Sequence, residues 1–138
     1  MLVQIIQKYY SDNNGLNCAQ SMLCGANDTY GLGLDQKALY TMACFGGGMG
    51  VESVCGALTG ALAALGVLLT GDNTLSTDRR KAIVTDFYKA FELRLGSDNC
   101  KLIKKEFRDD TLGCLPVVTL SAQILEEIIK KYHASTNG

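Results

Sequence analysis

One histidine, one proline and no tryptophan occur among the 138 residues. The histidine, His133, falls in a tail expected to fray, so a Ser-His-Asp or Cys-His enzyme has no other base to use. No Gly-x-Ser-x-Gly string is present, which removes the nucleophile elbow of many hydrolases. Neither sign of charge is in excess: 13 basic against 14 acidic side chains leave −1. A general nucleic-acid binder needs a strong basic surplus. The longest apolar run, Val54 to Leu69, has 16 residues and includes Thr59 and three glycines. A membrane span needs about 20, so no membrane insertion is expected. The first ten residues lack the charged start, apolar run and small-residue cleavage site of a secretory signal. No C-x-x-C pair occurs, which excludes a thioredoxin-type motif and the paired spacings of zinc knuckles and ribbons. No stretch alternates polar and apolar residues, so no sheet is expected.

Glycine and cysteine are what the chain has in plenty, at 15 and 6 residues. With 47% hydrophobic and 20% charged residues, the composition is that of a folded domain rather than a disordered tail. A chain of this length buries roughly two-thirds of the surface its unfolded form exposes, so it needs no staples. The expected compartment is the cytoplasm, where thiols stay reduced unless they bind metal or cycle redox state. Six cysteines there point to function more than to stapling.

The chain reads as one all-α domain over residues 1–132, a bundle of about six or seven short helices, followed by a disordered tail over 133–138. Leu2, Ile5, Ile6 and Tyr9 fall on one helical face. Ser11 to Gly15 is a polar break. Asn17 with Gln20 three residues on forms a capping box for a helix to about Asn27. Asp35 caps the next, which reaches about Phe45. Gly46-Gly47-Gly48-Met49-Gly50 is too glycine-rich for a helix and reads as a loop. Ser53 caps the apolar helix to Leu69, whose Gly56, Gly60 and Ala64 form a small-residue stripe; this is the expected central helix. The stripe suits close packing within the chain and leaves a homodimer open. Thr70 to Thr77 is a linker, with Thr77 or Asp78 capping a helix that carries Ile83, Phe87, Phe91 and Leu95 and ends at Gly96. Asp98-Asn99 starts a short helix ending near Arg108. Pro116 opens the last, where its missing N–H costs nothing, and Leu120, Ile124, Ile128 and Tyr132 form its apolar face. Residues 1–60 hold six charged side chains and the rest 21.

Four cysteines stand at predicted helix starts: Cys18 after Asn17, Cys55 after Ser53, Cys100 after Asn99, and Cys114 two residues before Pro116. Free N–H groups and the positive dipole end gather there. Both favour a thiolate and lower a cysteine pKa, and both favour an anionic thiolate-ligated group. Cys24 and Cys44 fall within or at the end of helices and read as packing residues. The spacings of 37, 45 and 14 residues demand a fold that gathers four helix ends, which a helical bundle supplies.

Asn17-Cys18-Ala19-Gln20, Phe45-Gly46-Gly47-Gly48-Met49-Gly50, Cys55-Gly56-Ala57-Leu58-Thr59-Gly60, Asn99-Cys100 and Cys114 together resemble one family. It is the small redox-active proteins defined by four cysteines, one of them within a C-G-A-x-x-G motif. The resemblance covers roughly residues 15 to 130. It implies that Cys18, Cys55, Cys100 and Cys114 are the site residues, and a redox role without a defined reaction. The chain is also distantly similar to the non-haem domain of split-Soret cytochromes, which carries an iron–sulfur centre. The haem-attachment string C-x-x-C-H is absent, so no haem is implied.

Three readings follow. In the first, the four cysteines ligate an iron–sulfur cluster, [2Fe–2S], for electron transfer or redox sensing. In the second, the protein is a metal-free thiol–disulfide redox protein without cofactor. In the third, the site is structural zinc or a set of buried thiols. Gly46–Gly50 lacks the strand and the Gly-x-Gly-x-x-Gly spacing of a dinucleotide loop, so it reads as a turn for close packing or as a nest of N–H groups lining the cysteines. Glu52 is a solvated carboxylate or a group tuning Cys55. Lys101, Lys104, Lys105 and Arg108 form a basic cluster, either a solvated face or a docking site for a redox partner protein.

Overall fold

A computed structural model describes residues 1–12, 15–70 and 76–136, without the side chains of Thr70 and of residues 133–136. Seven α-helices follow in order: α1 Leu2–Ser11, α2 Cys18–Tyr30, α3 Gln36–Tyr40, α4 Gly56–Thr70, α5 Thr77–Leu95, α6 Cys100–Phe107 and α7 Leu115–Thr136. The fold is all-α, with no strand among the described residues. No helix among them is long and apolar enough to cross a membrane.

Local signals set most of the helix ends. Asn17 and Gln20 form the reciprocal capping box, with Gln20 N–H on Asn17 Oδ1 at 2.9 Å and Asn17 N–H on Gln20 Oε1 at 3.0 Å. Asp35 and Asn99 cap α3 and α6 through their side chains. Gly96 closes α5 in the left-handed conformation at φ 78.

The core lies between α4, α2 and α7, with α1 and α5 packed on its flanks. Ala57, Leu58, Ala61, Ala64 and Leu65 of α4 are all buried, so α4 is the central helix. Its small-residue stripe is covered within the chain: a Cβ on Gly60 would lie 2.4 Å from the Ala19 carbonyl oxygen. Glycine in a helix costs about 1 kcal/mol against alanine; here that cost allows α2 to lie against α4. Ile83, Phe87, Phe91 and Leu95 of α5 are buried as their four-residue spacing requires, and Ile124, Ile128 and Tyr132 face them from the broad apolar side of α7.

Five expectations change. α3 ends at Tyr40 rather than near Phe45, because a series of tight turns takes over at Thr41. α2 runs to Tyr30, three residues past Asn27, and stops at left-handed Gly31. Ser76, not Thr77 or Asp78, caps α5, accepting from Arg79 N–H at 3.1 Å. Ser53 does not cap α4; its carbonyl accepts from Cys100 N–H at 2.6 Å, and the Cys55 carbonyl receives Leu58 and Thr59 N–H instead. α7 continues to Thr136 rather than ending near Tyr132. Residues 137 and 138 of the expected tail, the side chain of His133, most of the 70–77 linker and residues 13 and 14 of the Ser11–Gly15 break lie outside what is described.

Candidate functional site

Each of the four cysteines stands at the start of a helix. Cys18 is the first residue of α2 and Cys100 the first of α6. Cys55 immediately precedes α4, and Cys114 immediately precedes α7, where its carbonyl accepts from Val118 N–H at 2.9 Å. The fold brings the four starts together: all four cysteines line one cavity of about 590 Å³.

Backbone contacts do the gathering. Val54 and Asn99 form a single antiparallel bridge. Beside it, Cys55 N–H donates to the Asp98 carbonyl at 2.8 Å and Cys100 N–H to the Ser53 carbonyl at 2.6 Å. Two cysteines 45 residues apart are thereby held side by side. The glycine segment winds as a wide turn over Gly48–Glu52, with Gly47, Gly48, Met49 and Gly50 left-handed at φ 63, 61, 60 and 74. At Gly48 only glycine fits, since a Cβ would lie 2.4 Å from Ser53 N and 2.8 Å from the Cys100 Cβ. At Gly56 a Cβ would lie 2.7 Å from the Cys18 sulfur and 2.9 Å from the Phe45 carbonyl oxygen. That glycine is the gap through which Cys18 reaches the start of α4.

Cys114 is positioned from the other end of the sequence. Its N–H donates to the Tyr10 hydroxyl at 2.8 Å. The preceding turn is closed by reciprocal Asp109–Gly113 backbone bonds at 2.9 and 2.8 Å. The Asp109 carboxylate also accepts from Thr111 and Leu112 N–H, which holds it below the usual carboxylate range. No sequence signal pointed to Tyr10; it lies 104 residues from its partner.

The thiols' electrostatics depart from expectation. Burial pushes Cys18 up, partly offset by N–H groups of Gly47 and Ala19 on its sulfur. Burial and then the neighbouring Cys18 push Cys55 to about 12, against the N–H groups of Ala57 and Leu58. Burial also raises Cys100, with Lys104 and Arg108 pulling the other way and Cys114 and Glu52 adding to the rise. The helix-start N–H groups act in the expected direction, but desolvation outweighs them. Within the glycine segment, the Gly47 N–H is the one directed at the Cys18 sulfur. Glu52 pairs with Lys104 at 3.2 Å, and the thiol it acts on is Cys100 rather than Cys55.

Cys24 is buried, as a packing residue should be, but Cys44 is exposed. The early end of α3 puts Cys44 in a surface turn, which corrects its assignment to packing. All six thiols are free. Among the described residues, no three His, Cys, Asp or Glu side chains converge closely enough to hold a single metal ion.

Residues 16–128 match the family described as Putative redox-active protein (C_GCAxxG_C_C). The chain belongs to this family. The matched span contains all four cavity cysteines. The family description writes its motif Gly-Cys-Ala-x-x-Gly; here it reads Cys55-Gly56-Ala57-Leu58-Thr59-Gly60, with cysteine ahead of the glycine that lies under the Cys18 sulfur. Nothing among the curated proteins or the solved structures matches the chain.

Proposed function

We propose that Cys18, Cys55, Cys100 and Cys114 form one redox centre by ligating an iron–sulfur cluster, [2Fe–2S], used for electron transfer or redox sensing. The observation that carries this is the convergence of four thiols from four helix starts on one cavity. Four thiolates are the usual donor set for such a cluster, which would supply one-electron chemistry.

Three further features fit. Buried thiols with raised pKa are poor nucleophiles for disulfide exchange, whereas a bound metal deprotonates its thiol ligands outright. Cys55 and Cys100 occupy diagonal positions across the Val54–Asn99 bridge. Such positions lie about 7–8 Å apart, beyond the roughly 4.4–6.8 Å Cα separation of a disulfide. A single zinc ion needs all four sulfurs at about 2.3 Å from one point, whereas a two-iron group divides its ligands between two metals. The chain's own part is to hold the sulfurs, to screen them with the apolar walls of Ile103 and Val117, and to direct N–H groups at them. N–H donation to ligand sulfurs raises a reduction potential. A reducing compartment such as the cytoplasm would keep the free thiols available.

The test is purification without oxygen, with a visible spectrum and assays of iron and acid-labile sulfide on one sample. Charge-transfer bands that disappear in Cys55→Ser are the expected result. A colourless, iron-free and sulfide-free protein from iron-supplied cells would overturn the cluster. Thiol counting before and after mild oxidation would then show whether the cysteines cycle as disulfides.

A further inference from the structure

α6 and its cap carry Lys101, Lys104, Lys105 and Arg108, spaced i, i+3, i+4 and i+7 on one helical face. Lys104 and Arg108 line the cysteine cavity, so the row runs along its rim. Lys104 is paired with Glu52. Lys101, Lys105 and Arg108 are exposed and have no ion-pair partner among the described residues. Of the carboxylates nearby, Asp109 is engaged by its own turn, Glu106 falls off the stripe, and Asp110 lies beyond the helix end.

An apolar strip runs beside this row. The glycine turn packs on α6, and the two together expose Met49, Val51 and Leu102 at 41%, 76% and 55%. The same turn touches the centre, since Gly48 lies against the Cys100 side chain. Lys101 to Arg108 spans about 10 Å of helix at 1.5 Å per residue. That is more than a small oxyanion bridges, and the flanking apolar side chains suit a protein surface.

We propose that this face docks an acidic electron-transfer protein, which exchanges electrons with the cysteine centre behind it. The proposal rests on the redox reading but not on the cluster, because either kind of centre would need a delivery surface. In each encounter the reduced partner loses one electron and the oxidised centre gains it. A disulfide centre would take two electrons and two protons over two encounters. Unpaired cations steer the acidic partner, and the small apolar strip keeps the contact short-lived, as transient redox encounters require.

Reduced flavodoxin serves as an acidic protein probe and reduced methyl viologen, a small cation, as control. Each is mixed with the oxidised protein in a stopped-flow instrument. Lys101 and Lys105 do not line the cavity, so Lys101→Glu with Lys105→Glu leaves the centre itself alone. At low salt the double variant should react with flavodoxin about tenfold more slowly than wild type, and with methyl viologen no more slowly. Salt should slow the wild-type flavodoxin reaction and close most of the gap. Equal flavodoxin rates for wild type and variant would overturn the docking while leaving the redox reading intact. Binding to anionic lipid vesicles that is lost in the variant, with unchanged flavodoxin rates, would overturn it in favour of a membrane surface. A wild-type protein that neither reagent reduces would overturn the redox reading and the docking together.

Discussion

The two ends of the bundle are built by different means. In the body, α5 and α7 are placed by side chains: Phe87, Phe91, Ile124 and Leu125 are fully buried, and burial is non-directional. At the cysteine end, position comes from the backbone: a left-handed turn, one antiparallel bridge and the two helix starts capped by Asn17 and Asn99. Glycines stand there where a Cβ would collide with a cysteine or its supports. A body made of apolar surface can yield and repack. An end made of fixed N–H and C=O directions holds sulfurs at set points. The body therefore carries the larger share of the apolar burial, and the cysteine end the fixed geometry.

The largest expected effect sharpens that division. Phe87→Ala removes a ring buried in the body and should lower unfolding stability by about 3–5 kcal/mol, read by denaturant titration. The redox signal per folded molecule should be unchanged; its loss would mean that the two ends are not separable. Gly48→Ala reverses the pattern. Its φ of 61 and the nearness of Ser53 N and Cys100 Cβ force the turn to shift. The left-handed strain costs about 1–2 kcal/mol, a smaller stability loss than in the body. The redox signal should nevertheless be abolished, because Cys100 cannot keep its place. A fully redox-active Gly48→Ala would overturn the backbone account of this end.

What was legible in the sequence follows the same division. Helix starts are local events: Asn17 with Gln20, Asp35 and Asn99 announce caps within four residues, so the positions of Cys18 and Cys100 could be read directly. The four-residue repeat from Ile83 to Leu95 is equally local. Non-local features stayed hidden. The Val54–Asn99 bridge changed the role of Ser53, and Tyr10 meets Cys114 across nearly the whole chain. The thiol shifts run against the helix-start expectation for the same reason. Helix-start N–H groups are visible in sequence, but the burial that outweighs them is a property of the assembled cavity.

Tyr10→Phe probes the side-chain support that reaches the cysteine end from α1. It keeps the ring and removes the oxygen that accepts from Cys114 N–H at 2.8 Å. Stability should fall by about 1 kcal/mol, the usual net worth of such a bond. Alkylation of Cys114, followed by peptide mass mapping of the cofactor-free chain, should quicken as its turn loosens, while Cys24 labelling stays constant. An unchanged Cys114 rate would mean that the Asp109–Gly113 turn holds that residue alone.

The smallest effect belongs to the body and has a pH signature. Asp86 of α5 accepts from the Tyr132 hydroxyl and from Lys131 Nζ of α7. Those bonds hold its carboxyl below the ordinary value, the Tyr132 bond first. A lowered folded pKa gives stability that is present above the unfolded value near 3.9 and lost as pH falls through the folded one. Burial and then the same bond push Tyr132 up to about 12. A raised folded pKa gives stability that is present below the unfolded value near 10 and lost as pH rises towards 12. The link therefore works between about pH 4 and 10. The Asp86 carboxylate is about one-third exposed, so Asp86→Asn should cost about 0.2–1 kcal/mol at pH 7 and progressively less as pH falls. A difference from wild type that stays constant from pH 7 down to pH 2 would show that this helix pair is held by packing alone.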